Sequence, residues 1–66
     1  MAITLKAARV NRGLTQKELG DLLGKSYVTI SKWENGITSP RLDEFQALCK
    51  ALGAEVDDII LPKISS

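Results

Sequence analysis

The stretch TQKELGDLLGKSYVTISKWENG, residues 15–36, reads as two short helices joined by a tight turn. Thr15 followed three residues later by Glu18 is a capping box, in which the hydroxyl accepts an orphan amide of the first turn and the carboxylate accepts the cap residue's own N–H. The first helix therefore starts near Gln16. Leu19, Leu22 and Leu23 form its apolar stripe, and Gly24 supplies the backbone freedom for a sharp turn. Gly20 removes a side chain where two steeply crossing helices would otherwise collide. Ser26 caps the second helix, Ile30 and Trp33 at i, i+3 make its inward face, and Asn35 with Gly36 ends it.

Upstream, the segment from about Ile3 to Arg12 places Leu5, Ala8, Arg9 and Arg12 on one side of a helical wheel, with Gly13 positioned to stop it. Downstream, a loop over Ile37 to Ser39 leads to Ser39 and Pro40 in cap-then-first-residue order. Leu42, Phe45, Leu48, Cys49 and Leu52 then repeat at three and four, with Gly53 just beyond. Val56, Ile59 and Ile60 surround an Asp57 suited to cap a final short helix that Pro62 must stop. The expectation is an all-α, compact five-helix domain covering residues 1–66, with the paired helices at about 16–35.

Sixty-six residues have room for one core and only marginal stability from burial. Apolar residues at 44% and charged residues at 26% are the balance of a folded soluble chain. No apolar run approaches the roughly 20 residues that span a bilayer, and the start lacks the regions of a signal peptide, so the cytoplasm is the expected address. One cysteine and no histidine exclude an intrachain disulfide, Cys/His zinc sites and His-based acid–base chemistry. Cys49 reads as a small core hydrophobe, and Asp57 with Asp58 as a cap and a solvated surface. No metal, cofactor, small-molecule ligand or enzymatic activity is expected. The net charge is only +1, but residues 1–42 carry seven Lys/Arg against three Asp/Glu, whereas residues 43–66 carry two against five. The basic part suits a polyanion.

Two short helices, a Gly-containing turn and a polar outer face on the second helix describe a helix-turn-helix, which lays its second helix in the major groove of DNA. At about 100° per residue, Val28, Ser31, Lys32 and Asn35 lie opposite Ile30 and Trp33, with Tyr27 flanking them. Because such helices present their N-terminal residues to base edges, Tyr27, Val28 and Thr29 are candidates for base readout, with Lys32 one turn on. Val28 suits a thymine methyl and Lys32 guanine O6 and N7, whereas Tyr27 suits a base or a phosphate. Asn35, Thr38, Ser39 and Arg41 are candidates for a phosphate clamp at the end of the second helix, joined by Ser31. Val56, Ile60, Leu61 and Ile64, apolar and near the chain end, are candidates for a dimer interface.

The quoted stretch resembles the Cro and repressor type of helix-turn-helix, an XRE-like family of bacterial and phage regulators, and the resemblance runs from about Leu5 to Leu61. Gly20, Gly24, Ile30, Trp33 and the closing Glu34-Asn35-Gly36 fall at the family's positions. The resemblance implies a lambda-repressor-like fold. It also implies that Gln16, at the amino end of its helix, contacts a phosphate, as the helix dipole favours. It pairs Arg9 with Glu34 in a structural salt bridge. At positions 27 and 28 the family more often shows Gln, Arg or Ser, and at position 25 an apolar residue. Lys25 accordingly either adds a phosphate contact or points to water.

The expected function is sequence-specific binding of double-stranded DNA by a transcriptional regulator, most simply a repressor that sits as a homodimer on a palindromic operator. Recognition helices would be about 34 Å apart. At this length no separate C-terminal sensor or oligomerisation domain is expected. The regulator would be bacterial or phage-encoded and associated with the nucleoid. Antitoxin and restriction–modification controllers share the pattern. An alternative of another class is a protein-interaction adaptor on the same fold, for which a larger apolar patch on the second helix would be expected.

Overall fold

The computed structural model describes residues 2–64 and runs β1 (Ile3–Thr4), α1 (Leu5–Asn11), α2 (Gln16–Leu23), α3 (Tyr27–Glu34), α4 (Leu42–Leu52), a single 3₁₀ turn (Val56–Asp58) and β2 (Ile59–Ile60). Each α-helix sends one fully buried side chain to a common centre: Leu5 from α1, Leu19 from α2, Ile30 from α3 and Leu48 from α4. Ala8, Trp33, Cys49, Leu52 and Ile59 complete this core, and Leu14, Leu23, Phe45 and Leu61 pack against it. Each fully buried Leu or Ile contributes about 1.5–3 kcal/mol relative to exposure, so the centre is set by one anchor per helix.

Among the described residues there are four α-helices where five were expected. The fifth is reduced to the 3₁₀ turn because the next two residues, both isoleucine, are taken up by a parallel ladder that pairs Ile3 with Ile59 and Thr4 with Ile60. β-Branched residues favour such pairing over a further helical turn. The turn begins after Glu55 rather than at Asp57, with the Glu55 amide donating to Asp58 Oδ2 at 3.2 Å.

The same ladder shortens α1, which starts at Leu5 instead of near Ile3. Thr4 is its cap, its hydroxyl accepting the Ala7 amide at 3.1 Å. α4 starts two residues later than the Ser39–Pro40 signal suggests, because Arg41 takes the cap position and its amide donates to Glu44 Oε1 at 2.8 Å. Leu42 and Leu22, assigned to inward stripes from their spacing, are instead exposed. Each lies at the margin of its apolar face. Arg12, placed with Leu5 on the wheel, is also exposed. It follows the end of α1, beside Gly53.

Candidate nucleic-acid interface

The turn between α2 and α3 follows from three local devices. Thr15 Oγ1 accepts the Glu18 amide at 3.0 Å and Glu18 Oε1 accepts the Thr15 amide at 2.9 Å, fixing where α2 begins. Gly24 ends α2 in the left-handed region at φ 67°, and the Lys25 amide donates back to the Gly20 carbonyl at 2.8 Å. Ser26 caps α3, its Oγ accepting the Thr29 amide at 3.3 Å. Gly20 is where the two arms come closest. A Cβ there would sit 2.5 Å from the Lys25 carbonyl oxygen, so the obstacle is the turn's backbone rather than a side chain of α3.

Ile30 and Trp33 hold α3 on the core, which leaves its other face outward. Tyr27 and Val28, its first two residues, are 56% and 43% exposed. Lys32 is exposed one turn on, and Ser31 is half-buried. Thr29 is half-buried as well, its Oγ1 lying 3.4 Å from Ser26 Oγ, so its hydroxyl is partly engaged in the cap. Asn35 closes the helix by donating from Nδ2 to the Ser31 carbonyl at 2.8 Å and to Ser31 Oγ at 3.3 Å.

The residues considered for phosphate contact are held in different ways. Gln16 opens α2 half-buried, and its Nε2 donates to Glu34 Oε1 at 3.1 Å. Thr38, Ser39 and Arg41 stand exposed on and after the α3–α4 loop. Arg41 Nε lies 3.5 Å from Asp43 Oδ1 and 3.6 Å from Glu44 Oε1, a loose and mostly solvated pairing. Lys25 points neither to water nor outward alone. Its ammonium sits 2.6 Å from Glu44 Oε2, joining the turn to the first turn of α4. That hydrogen bond, followed by the one from the Arg41 amide, holds the Glu44 carboxyl below the ordinary glutamate range. One carboxylate of the acidic C-terminal part, Glu44, is thus folded back onto a cation of the basic part, which the count of charges along the chain does not reveal.

Behind this surface lies a polar network. Arg9 Nε donates to Glu34 Oε2 at 2.6 Å, its Nη2 to Glu34 Oε1 at 3.2 Å and its Nη1 to the Leu14 carbonyl at 2.7 Å. With Gln16 on the same carboxylate, α1, the loop after it and the beginning of α2 are all tied to the last residue of α3. No buried side-chain nitrogen or oxygen among the described residues lacks a partner.

Of the four residues considered for a dimer surface, Val56, Ile60 and Ile64 are exposed. Leu61 instead packs partly buried against the core. Cys49 is buried in α4, and burial pushes its thiol pKa up. Among the described residues no group of His, Cys, Asp and Glu is arranged to hold a metal ion, and no helix is long and apolar enough to cross a membrane.

The sequence matches the family described as Helix-turn-helix over residues 5–59. The chain belongs to this family. It is the Cro and repressor type, a family of DNA-binding transcription regulators. The fold resembles that of the P22 c2 repressor protein, solved in complex with synthetic operator 9T in the presence of Tl+, at 38% identity and a TM-score of 0.76, covering 80% of each chain. The sequence is also 30% identical over 56 residues to the HTH-type transcriptional activator BcrR of Enterococcus faecalis. That match takes in 85% of this chain but only 28% of the relative's length. In this helix-turn-helix protein, sequence reasoning missed the β1–β2 ladder, the Lys25–Glu44 pair and the Gln16–Glu34 bond. Only the last had a signal, in the polar Gln16 set one residue after a cap and the acid set before Asn35-Gly36.

Proposed function

We propose that this protein is a sequence-specific regulator that binds double-stranded operator DNA through the major groove, with α3 as the recognition helix. The observation that carries the reading is the presentation of Tyr27 and Val28, exposed at the start of a helix whose other side is clamped by Ile30 and Trp33. A helix anchored on one side, whose outer face offers an aromatic hydroxyl, a methyl-bearing side chain and a lysine, is suited to base edges. Tyr27, Val28, Thr29 and Lys32 are assigned to readout. Gln16, Ser31, Asn35, Thr38, Ser39 and Arg41 are assigned to the backbone, with Lys25 contributing charge while paired to Glu44.

One such unit covers few base pairs, so the reading includes a two-fold dimer on a palindrome, joined through the exposed Val56, Ile60 and Ile64. Likeness to a repressor solved with its operator favours repression by occupancy. Selection of random duplex DNA on the purified protein tests the proposal. An enriched palindrome, bound selectively over scrambled duplex with a steep salt dependence, is the expected result. Absence of any enriched sequence would remove the operator reading and favour the adaptor.

A further inference from the structure

The far end of the recognition helix makes a contact that DNA reading does not require. Gly36 follows α3, is buried, and has φ 71°. A Cβ on it would stand 2.5 Å from the Lys63 carbonyl oxygen and 3.3 and 3.4 Å from Pro62 Cβ and Cγ. Gly13 and Gly24 have φ values of 71° and 67°, yet a Cβ on either meets nothing within 4 Å. Positive φ alone is a demand that Asn can also meet. Gly36 answers a second demand, room for the backbone of another segment.

That segment is the short run after β2. β2 is fixed by its ladder to β1, and β1 leads directly into α1 through the cap residue Thr4. Pro62 has a fixed φ, so while the two-pair ladder is closed the run leaving β2 has few directions open to it. It arrives with the Lys63 carbonyl against Gly36. From there the Ile37 and Thr38 amides both reach back to the Lys32 carbonyl, at 2.9 and 3.4 Å. Those two bonds shape the start of the α3–α4 loop.

We propose that Pro62 and Lys63 form a strut, seated on Gly36, that sets the angle of the recognition helix and of the loop after it. The proposal rests on the DNA reading for its consequence. α3 is only eight residues long, about 12 Å, and is anchored by Ile30 and Trp33 on one side. A support at its C-terminal end removes the remaining tilt, and directional hydrogen bonds to base edges are sensitive to tilt. Pro62 and Lys63 are positioning residues in this scheme.

Gly36→Asn is made in the full chain, and again in a full chain carrying Pro62→Gly with Lys63→Gly, whose freed backbone can draw aside. The readout is the affinity ratio of enriched over scrambled duplex. Gly36→Asn is expected to lower that ratio by about tenfold or more with the native run and by less than about threefold with the freed run. Gly13→Asn, with the same φ but open space, is expected to stay within about threefold. Equal losses from Gly36→Asn in both backgrounds would overturn the strut. A second measurement uses no DNA: the Pro62→Gly, Lys63→Gly chain is expected to shift the NMR amide signals of residues 35–38 and leave those of residues 13–15 in place. Unmoved signals at 35–38 also overturn it. Moved signals in a chain that binds no duplex would uphold the strut and dismiss the DNA reading.

Discussion

Arg9 and Glu34 meet side-on, with Nε and Nη2 of the guanidinium on the two oxygens of one carboxylate at 2.6 and 3.2 Å, and both side chains are nearly out of solvent. The pair connects α1 to the residue that ends the recognition helix. Its desolvation makes the pair a poor source of net stability but a costly one to break. Arg9→Ala or Glu34→Ala is expected to destabilise the protein by about 3–5 kcal/mol, since each strands the other charge. Urea unfolding followed by Trp33 fluorescence checks this. A loss under about 1 kcal/mol would mean that water reaches the remaining charge.

Lys32 and Arg41 are both exposed cations, yet they are assigned different roles. Lys32→Ala is expected to weaken binding to the enriched duplex and relax preference at one base position, by about 1–3 kcal/mol. Arg41→Ala should weaken specific and scrambled DNA alike and reduce the salt slope by about 0.9. Identical behaviour of the two variants would show that Lys32 touches phosphate only.

Gly20→Ala is expected to destabilise the fold by about 1–3 kcal/mol, because the added Cβ meets a backbone oxygen at 2.5 Å that cannot rotate away. Gly24→Asn, where the Cβ direction is open, should change the urea midpoint little. The comparison separates close approach from positive φ within a single turn.

Acid should unfold the protein partly through Glu18 and Glu44. Both carboxyls are held below the ordinary glutamate range, Glu18 first by the Thr15 amide and Glu44 first by Lys25. A depressed folded value means that the contribution is full above the unfolded value and is lost as pH falls through the lowered one. The urea midpoint should therefore decline on the acid side. Lys25→Met removes the main cause at Glu44 and should flatten part of that decline.

Ile60→Lys places a charge on the exposed residue of β2. Sedimentation should show loss of self-association together with operator affinity, and the melting temperature should lose its dependence on protein concentration. Unaltered association would move the dimer surface elsewhere.

The helix-turn-helix was legible because its signals are local. Thr15 with Glu18, Gly24 and Ser26 each set a boundary through bonds that span three to five residues, and the structure contains those bonds. Ile30 and Trp33 announced the buried face of α3 by spacing alone. What stayed hidden depends on chain segments far apart. Nothing near Ile59 states that Ile3 will lie beside it, so two isoleucines after an Asp pair read as the start of a helix. Leu22 and Leu42 fit a periodic stripe but fall at its margin, where spacing does not decide between core and solvent. Lys25 stood at an apolar family position with no visible partner, because Glu44 lies nineteen residues on, across a loop.

The ladder of Ile3 with Ile59 and Thr4 with Ile60 joins segments from near opposite ends of the chain, yet it consists of only two residue pairs. Closing so long a loop for so few bonds is an entropic burden that local helices do not carry. This clasp is accordingly the step expected to close last in folding and reopen first, with its amides exchanging ahead of those in the four helices. Because the ladder is parallel and begins at Ile3 and Ile59, a tag fused ahead of Ile3 loads the end of the clasp where both strands begin, and so perturbs the element least able to resist it.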